Sequence, residues 1–123
     1  MLFNFKKIFT SFAAVSIGFT PLVANASSRC TFASHYGIGD GYHGQRTANG
    51  ERFNAYGLST AHRSLPFGTR LRVTNQVNGK SVIVYVNDRG PYVSGRSLDL
   101  SYGAFTQIAS AGQGVAQVCY SRV

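Results

Sequence analysis

The sequence predicts a compact, mainly β domain closed into a barrel, with one or two short helices. Short runs of β-branched and aromatic residues recur between glycine-rich turns, and an Asn-Gly pair joins two of those runs. Only one stretch, near the C-terminus, shows helical periodicity. So many short strands would leave exposed edges, and closure into a barrel removes them.

Residues 1–26 read as an export signal. Lys6 and Lys7 form a basic start, Ile8 to Val23 an apolar core, and Ala24-Asn25-Ala26 a small-x-small cleavage site. Ser11, Ser16, Gly18, Thr20 and Pro21 interrupt that core, so a membrane span is the poorer reading. Arg29 precedes Cys30 where a lipidated cysteine would need small residues, so no lipid anchor is expected. The expected mature domain, residues 27–123, has 97 residues, few enough that a covalent staple would help it. Cys30 and Cys119 lie near its two ends in a compartment that permits disulfides, which predicts one bridge between them. Two cysteines and three scattered histidines show no paired ligand spacing, so neither a metal nor another cofactor is expected.

Thr31 to Tyr36 reads as the first strand. Gly37, Gly39, Asp40, Gly41 and Gly44 then form a loop holding Tyr42 and His43, and His43 reads as a surface or groove residue. Asn49-Gly50 makes a tight turn that projects Glu51. Tyr56 to His62 is short and mixed, and Leu65-Pro66-Phe67-Gly68-Thr69 turns into the alternating strand Arg70 to Thr74. Asn78-Gly79 joins that strand to Ser81 through Val86 as an antiparallel hairpin. Ser101 caps a helix over Tyr102 to Ser110, Gly112 and Gly114 end it, and Val115 to Tyr120 is the last strand.

Half of the chain's four acids fall between Ser81 and Ser101. Asn87-Asp88-Arg89-Gly90-Pro91 reads as a turn cluster leaving the sheet, and Asp99 stands between Leu98 and Leu100. A carboxylate so placed loses solvation and its pKa rises, as a general acid near neutral pH requires. A helix cap or an arginine partner is the structural alternative for such an acid, and the residues by themselves leave both open.

Without Lys6 and Lys7 the domain carries ten basic residues against four acids, a charge of about +6, which suits an anionic partner. The arginines are spread singly, unlike the runs of nucleic-acid-binding arms, so no nucleic-acid partner is expected. A monomer is the expected state.

Several segments together resemble the rare lipoprotein A family. They are Ala33-Ser34-His35-Tyr36-Gly37, Tyr42-His43-Gly44, Thr47 to Glu51, Thr60-Ala61-His62, Leu65 to Thr69, Arg72 to Asn75, Asn78-Gly79, Val86 to Pro91 and Leu98 to Ser101. The resemblance implies a six-stranded double-psi β-barrel that acts on peptidoglycan glycan strands in the bacterial envelope, periplasmic or secreted. It implies a lytic transglycosylase, which cuts between N-acetylmuramic acid and N-acetylglucosamine and leaves a 1,6-anhydro end. Strands stripped of stem peptides are its expected substrate. Carried over residue by residue, the likeness makes Glu51, His62 and Asp88 catalytic positions, and Asp99 matches the acid of more distant barrels, including expansins. One aspartate would donate the proton while the other holds its pKa up by like charge. Glu51 and His62 would line the groove. Tyr36, Tyr42, His43, Asn49, Arg89 and Tyr92 are the expected substrate-binding residues. His35 and Asn54 depart from the family's usual tryptophan and aspartate. A noncatalytic, expansin-like wall-binding module is the alternative the same groove allows.

Overall fold

The computed structural model describes residues 27–123, so the expected export signal lies outside the described residues. Six strands follow in chain order: β1 (Arg29–Tyr36), β2 (Ser59–Ala61), β3 (Arg70–Asn75), β4 (Ser81–Asp88), β5 (Arg96–Ser101) and β6 (Val115–Arg122). A helix, α1 (Tyr102–Ile108), and a 3-10 turn (Ala111–Gln113) separate β5 from β6.

The strands close into a barrel in the order β1-β5-β2-β4-β3-β6. Two neighbouring pairs, β1 with β5 and β2 with β4, run parallel, and the others run antiparallel. The predicted hairpin is present: Thr74 pairs with Ser81, and Gly79 N–H donates to the Asn75 carbonyl at 2.9 Å.

Alternation along the strands sends one face inward. Val82, Val84 and Val86 of β4, Leu98 and Leu100 of β5, and Leu71 and Val73 of β3 form the core with Ala33, Ala116 and Val118. Phe105 and Ile108 of α1 plug one end, because Ser101 Oγ accepts from Ala104 N–H and aims the helix back over the barrel. The far side of that plug is tied to the hairpin, where Asn75 Nδ2 and Asn78 Nδ2 both donate to the Ile108 carbonyl, at 2.7 and 3.0 Å. These two bonds satisfy a carbonyl that the end of the helix leaves without a partner.

Each parallel pair slips by one residue. Between β2 and β4 the register runs Thr60 opposite Val86 and then Ala61 opposite Asp88, which passes over Asn87. Between β1 and β5 it runs Phe32 opposite Arg96 and then Ala33 opposite Leu98, which passes over Ser97. Such a slip re-aims the side chains that follow it. It also corrects the expected turn at 87–91: Asn87 and Asp88 stay in β4, held there by the pairing with β2, and the chain leaves the sheet only at Arg89.

Cys30 and Cys119 are directly opposed in the β1–β6 pair and bonded, as predicted, at a sequence separation of 89. Replacing both with serine is expected to cost about 4–5 kcal/mol of folding free energy by the chain-entropy estimate. Urea denaturation reads this as a lowered midpoint, and an unchanged midpoint would show that the barrel closes as firmly without the bridge.

Candidate active site

The slip between β2 and β4 places Asp88 beside Ala61, and Ala61 in turn pairs with Asp99 of β5, which pairs with Ser34 of β1. Ser34, Asp99, Ala61 and Asp88 therefore form a row across four neighbouring strands. Leu98 and Leu100 face the core on either side of Asp99, so this row lies on the outer face. The two aspartate backbones are two strand spacings apart, about 9–10 Å. Ser34 and Ala61 are themselves buried, at 8% and 3% exposure, so Asp99 lies in a covered strip between them.

The two aspartates are held differently. Asp88 accepts three hydrogen bonds: Tyr36 Oη to Oδ2 at 2.9 Å, and the N–H groups of Ala48 and Arg89 to Oδ1 at 2.9 and 3.0 Å. Asp99 accepts from Ser34 Oγ at 2.9 Å on Oδ1 alone. Burial raises the Asp99 carboxyl above the ordinary carboxylate range, against the lowering effects of the Ser34 bond, Arg96 and His35. The expected desolvation is thus present, but Leu98 and Leu100 point into the core on the opposite face of β5, so it comes from the covered row that Asp99 shares with Ser34 and Ala61. The like charge that adds to it is Asp40 and not Asp88, because Asp88 sits two strands away.

Tyr36 connects the acids. Burial raises its phenol strongly, the Asp88 charge and hydrogen bond add to that, and Asp99 and Asp40 contribute less, so the hydroxyl keeps its proton and donates it. Its ring stacks on Phe53, with centroids 4.4 Å apart and planes at 12°, and meets Tyr42 edge-on at 5.7 Å. That stacking explains Gly37, at φ +116°: a Cβ there would lie 2.6 Å from Ala55 Cβ and 2.7 Å from the Phe53 ring.

Glu51 reaches β4 from the loop. Its Oε2 accepts from Asn87 Nδ2 at 2.8 Å and Tyr85 Oη at 2.7 Å, and these two bonds, Asn87 first, hold its carboxyl below the ordinary range. Asn49 shapes the turn, with Oδ1 accepting from Thr47 Oγ1 at 2.6 Å and from Glu51 N–H at 3.1 Å. Residues 47–51 thereby bring Glu51 and Asp88 to the same rim, because Ala48 N–H binds Asp88 and Asn49 N–H donates to the Asn87 carbonyl.

His62 is placed apart from the three carboxyl groups. Its backbone N–H donates to the Asp88 carbonyl at 3.1 Å, but its ring turns away. Nδ1 accepts from the N–H groups of Ser64 and Leu65, so Nε2 carries the proton and donates to Tyr120 Oη at 3.2 Å. Burial lowers its pKa, and the charges of Arg63, Arg89 and Arg29 lower it further.

Of the expected substrate contacts, Tyr42 and Tyr92 are open to solvent, at 55% and 75% exposure. The others have internal partners. His43 Nδ1 accepts from Ala55 N–H, Asn49 holds its turn, and Phe53 covers one face of Tyr36. The Arg89 guanidinium lies 3.9 Å over the Phe67 ring and donates to the His62 carbonyl.

Sequence reasoning missed Ser34, Tyr85 and Asn87. Asn87 had a signal, since a polar residue beside Asp88 in an apolar strand needs a partner; it is 2% exposed, and its Oδ1 finds none among the described residues. Among the described residues, no three His, Cys, Asp or Glu side chains cluster to hold a metal ion. No described helix is long and apolar enough to cross a membrane.

Comparison with known proteins places this arrangement. Residues 28–120 match the lytic transglycolase family, which carries the double-psi β-barrel domain. The chain belongs to that family. It is 59% identical over 86 residues to a Nostoc protein named a probable endolytic peptidoglycan transglycosylase, covering 70% of this chain and 23% of that one. The endolytic peptidoglycan transglycosylase of Pseudomonas aeruginosa is 52% identical over 86 residues, covering 70% and 25%, and that of Campylobacter jejuni is 46% identical over 97 residues, covering 79% and 34%. The chain thus spans about a quarter to a third of the length of these curated relatives. Among solved structures, Clavibacter michiganensis expansin aligns with a TM-score of 0.63 at 27% identity, covering 79% of this chain and 50% of that one. A mutant of that expansin, solved in complex with cellohexaose, aligns equally well at 26% identity.

The two bonds to Glu51 yield a direct test. Tyr85→Phe and Asn87→Ala should each move the Glu51 carboxyl upward toward its ordinary value, the asparagine change more, as read by carbon NMR titration of the side chain. A titration curve unmoved by both would disprove their hold on the carboxylate.

Proposed function

We propose that this chain is an exported lytic transglycosylase that cleaves peptidoglycan glycan strands without water, with Asp99 as its acid and base. The carrying observation is the contrast between the aspartates: Asp99 is desolvated and accepts one hydrogen bond, whereas Asp88 accepts three. Family membership and relatives named endolytic peptidoglycan transglycosylases support the reading.

In the proposed reaction the Asp99 carboxyl gives its proton to the glycosidic oxygen as the bond from that oxygen to the anomeric carbon breaks. The 6-hydroxyl oxygen of the muramic acid ring then bonds to the anomeric carbon and gives its proton to the Asp99 carboxylate. This closes the 1,6-anhydro ring and restores the acid. A hydrolase of the usual two-carboxylate type needs a second group for water; here the nucleophile is in the substrate. Asp88 and Glu51, acceptors held at the rim, would bind sugar hydroxyls, and Tyr42 and Tyr92 offer exposed rings for sugar faces. His62 would act through backbone contacts with Asp88 and Arg89.

A second reading, a glycan-binding module that does not cleave, draws on the likeness to expansin, whose mutant was solved with cellohexaose. Export and an envelope location fit both readings. Residues 1–26 would be removed to leave one domain from Ser27, with the periplasm or the exterior as its destination.

Incubation with glycan strands stripped of stem peptides should release 1,6-anhydro ends, detected by mass spectrometry, and Asp99→Asn should abolish them. Binding without new ends would favour the module instead. Activity should fall as pH rises through the raised Asp99 pKa, because the acid must begin protonated. The same shift has a stability consequence. A folded-state pKa above the unfolded value favours folding below the unfolded pKa, and that advantage is lost as pH rises through the folded one. Asp99→Asn should therefore leave the domain folded and no less stable at neutral pH, as thermal unfolding at two pH values would show.

A further inference from the structure

A cleft of about 660 Å³ opens at the barrel end away from α1, where the start of β1, the 62–65 turn and the end of β6 meet. Arg29, Arg63 and Arg122 line it, with His62, Ser97 and Tyr120 between them, and no acid is among its lining residues. The chain's four acids have their hydrogen bonds elsewhere. Asp40 accepts from the N–H groups of Gly37 and Tyr42, and Glu51, Asp88 and Asp99 from the groups described above. The guanidinium charges are therefore not neutralised from within the cleft. Their field reaches its wall: after burial, which raises the Tyr120 phenol and lowers His62, Arg29 and Arg63 push both groups toward the less positive form.

We infer that this cleft is an oxyanion-binding site, separate from the carboxylate groove, which takes a carboxylate or phosphate group carried on a sugar. Guanidinium forks match the geometry of both anions. Tyr120 Oη accepts the Nε2 proton of His62 and is also hydrogen-bonded to Ser97, so the paired Tyr120 and Ser97 hydroxyls together present a donor to a ligand. The volume lies within the roughly 300–1,000 Å³ of small-molecule sites, enough for a sugar acid as well as a bare ion. The His62 backbone, which donates to the Asp88 carbonyl and accepts from the Arg89 guanidinium, joins this cleft to the strand end that carries Asp88. The inference does not rest on cleavage, because binding is measured without turnover.

The test is an NMR titration of the protein with inorganic phosphate, with N-acetylmuramic acid and, as the neutral control, with N-acetylglucosamine. Saturable shifts at His62, Ser97 and Tyr120 with an anion, and none there with the neutral sugar, are expected. A response to the sugar acid alone assigns a carboxylate, and one to phosphate alone a phosphate. Arg63→Ala and Arg122→Ala should each weaken anion binding by about tenfold, whereas Lys80→Ala, an equal charge change on the distant β3–β4 hairpin, should hold it within about twofold. Equal losses in all three variants would mean general charge attraction and overturn the site. So would anion shifts confined to the residues around Tyr36, or no saturable response to either anion.

Discussion

Closure of six short strands around one thin core is the constraint on which the rest of this structure depends. Inward positions are taken by valine, leucine and alanine, and one end of the barrel is filled by Phe105 and Ile108. No acid is among the fully buried residues, so the carboxyl groups are confined to the outer face and the rim. The bond between Cys30 and Cys119 holds the β1–β6 seam of that closed sheet.

Within this frame, a single-residue slip places the carboxyl groups of the candidate site. Strict alternation would send Asp88 to the side of Val86, into the core. The slip against β2 sets it beside Ala61 and in line with Asp99, while Asn87, the residue passed over, becomes the partner of Glu51. The electrostatic division follows from that placement. Asp99 lies between buried Ser34 and Ala61 and accepts one hydrogen bond, so desolvation prevails. Glu51 is more open and accepts two side-chain bonds, so hydrogen bonding prevails.

Much was legible where the signal was local. The Asn78-Gly79 hairpin, the Ser101 cap and the alternation of Arg70 to Thr74 are set by neighbouring residues and appear as read. The reading of His62, Asn49 and Arg89 as groove residues had no such support. Each meets its partners through a fold in the backbone, and each is held by those contacts: the histidine by its own turn and Tyr120, the asparagine by Glu51 N–H, and the arginine by Phe67.

By itself, then, the sequence determined the class of fold, the cysteine pair and the segment that carries two of the acids, since periodicity and turn chemistry act over a few residues. Tertiary structure alone decided which acid is desolvated and free, which is held by three donors, and that the ring of His62 belongs to a cationic cleft. Those outcomes rest on contacts across long separations, 52 residues from Tyr36 to Asp88 and 65 from Ser34 to Asp99. A one-residue change of register would redirect them without altering any local propensity.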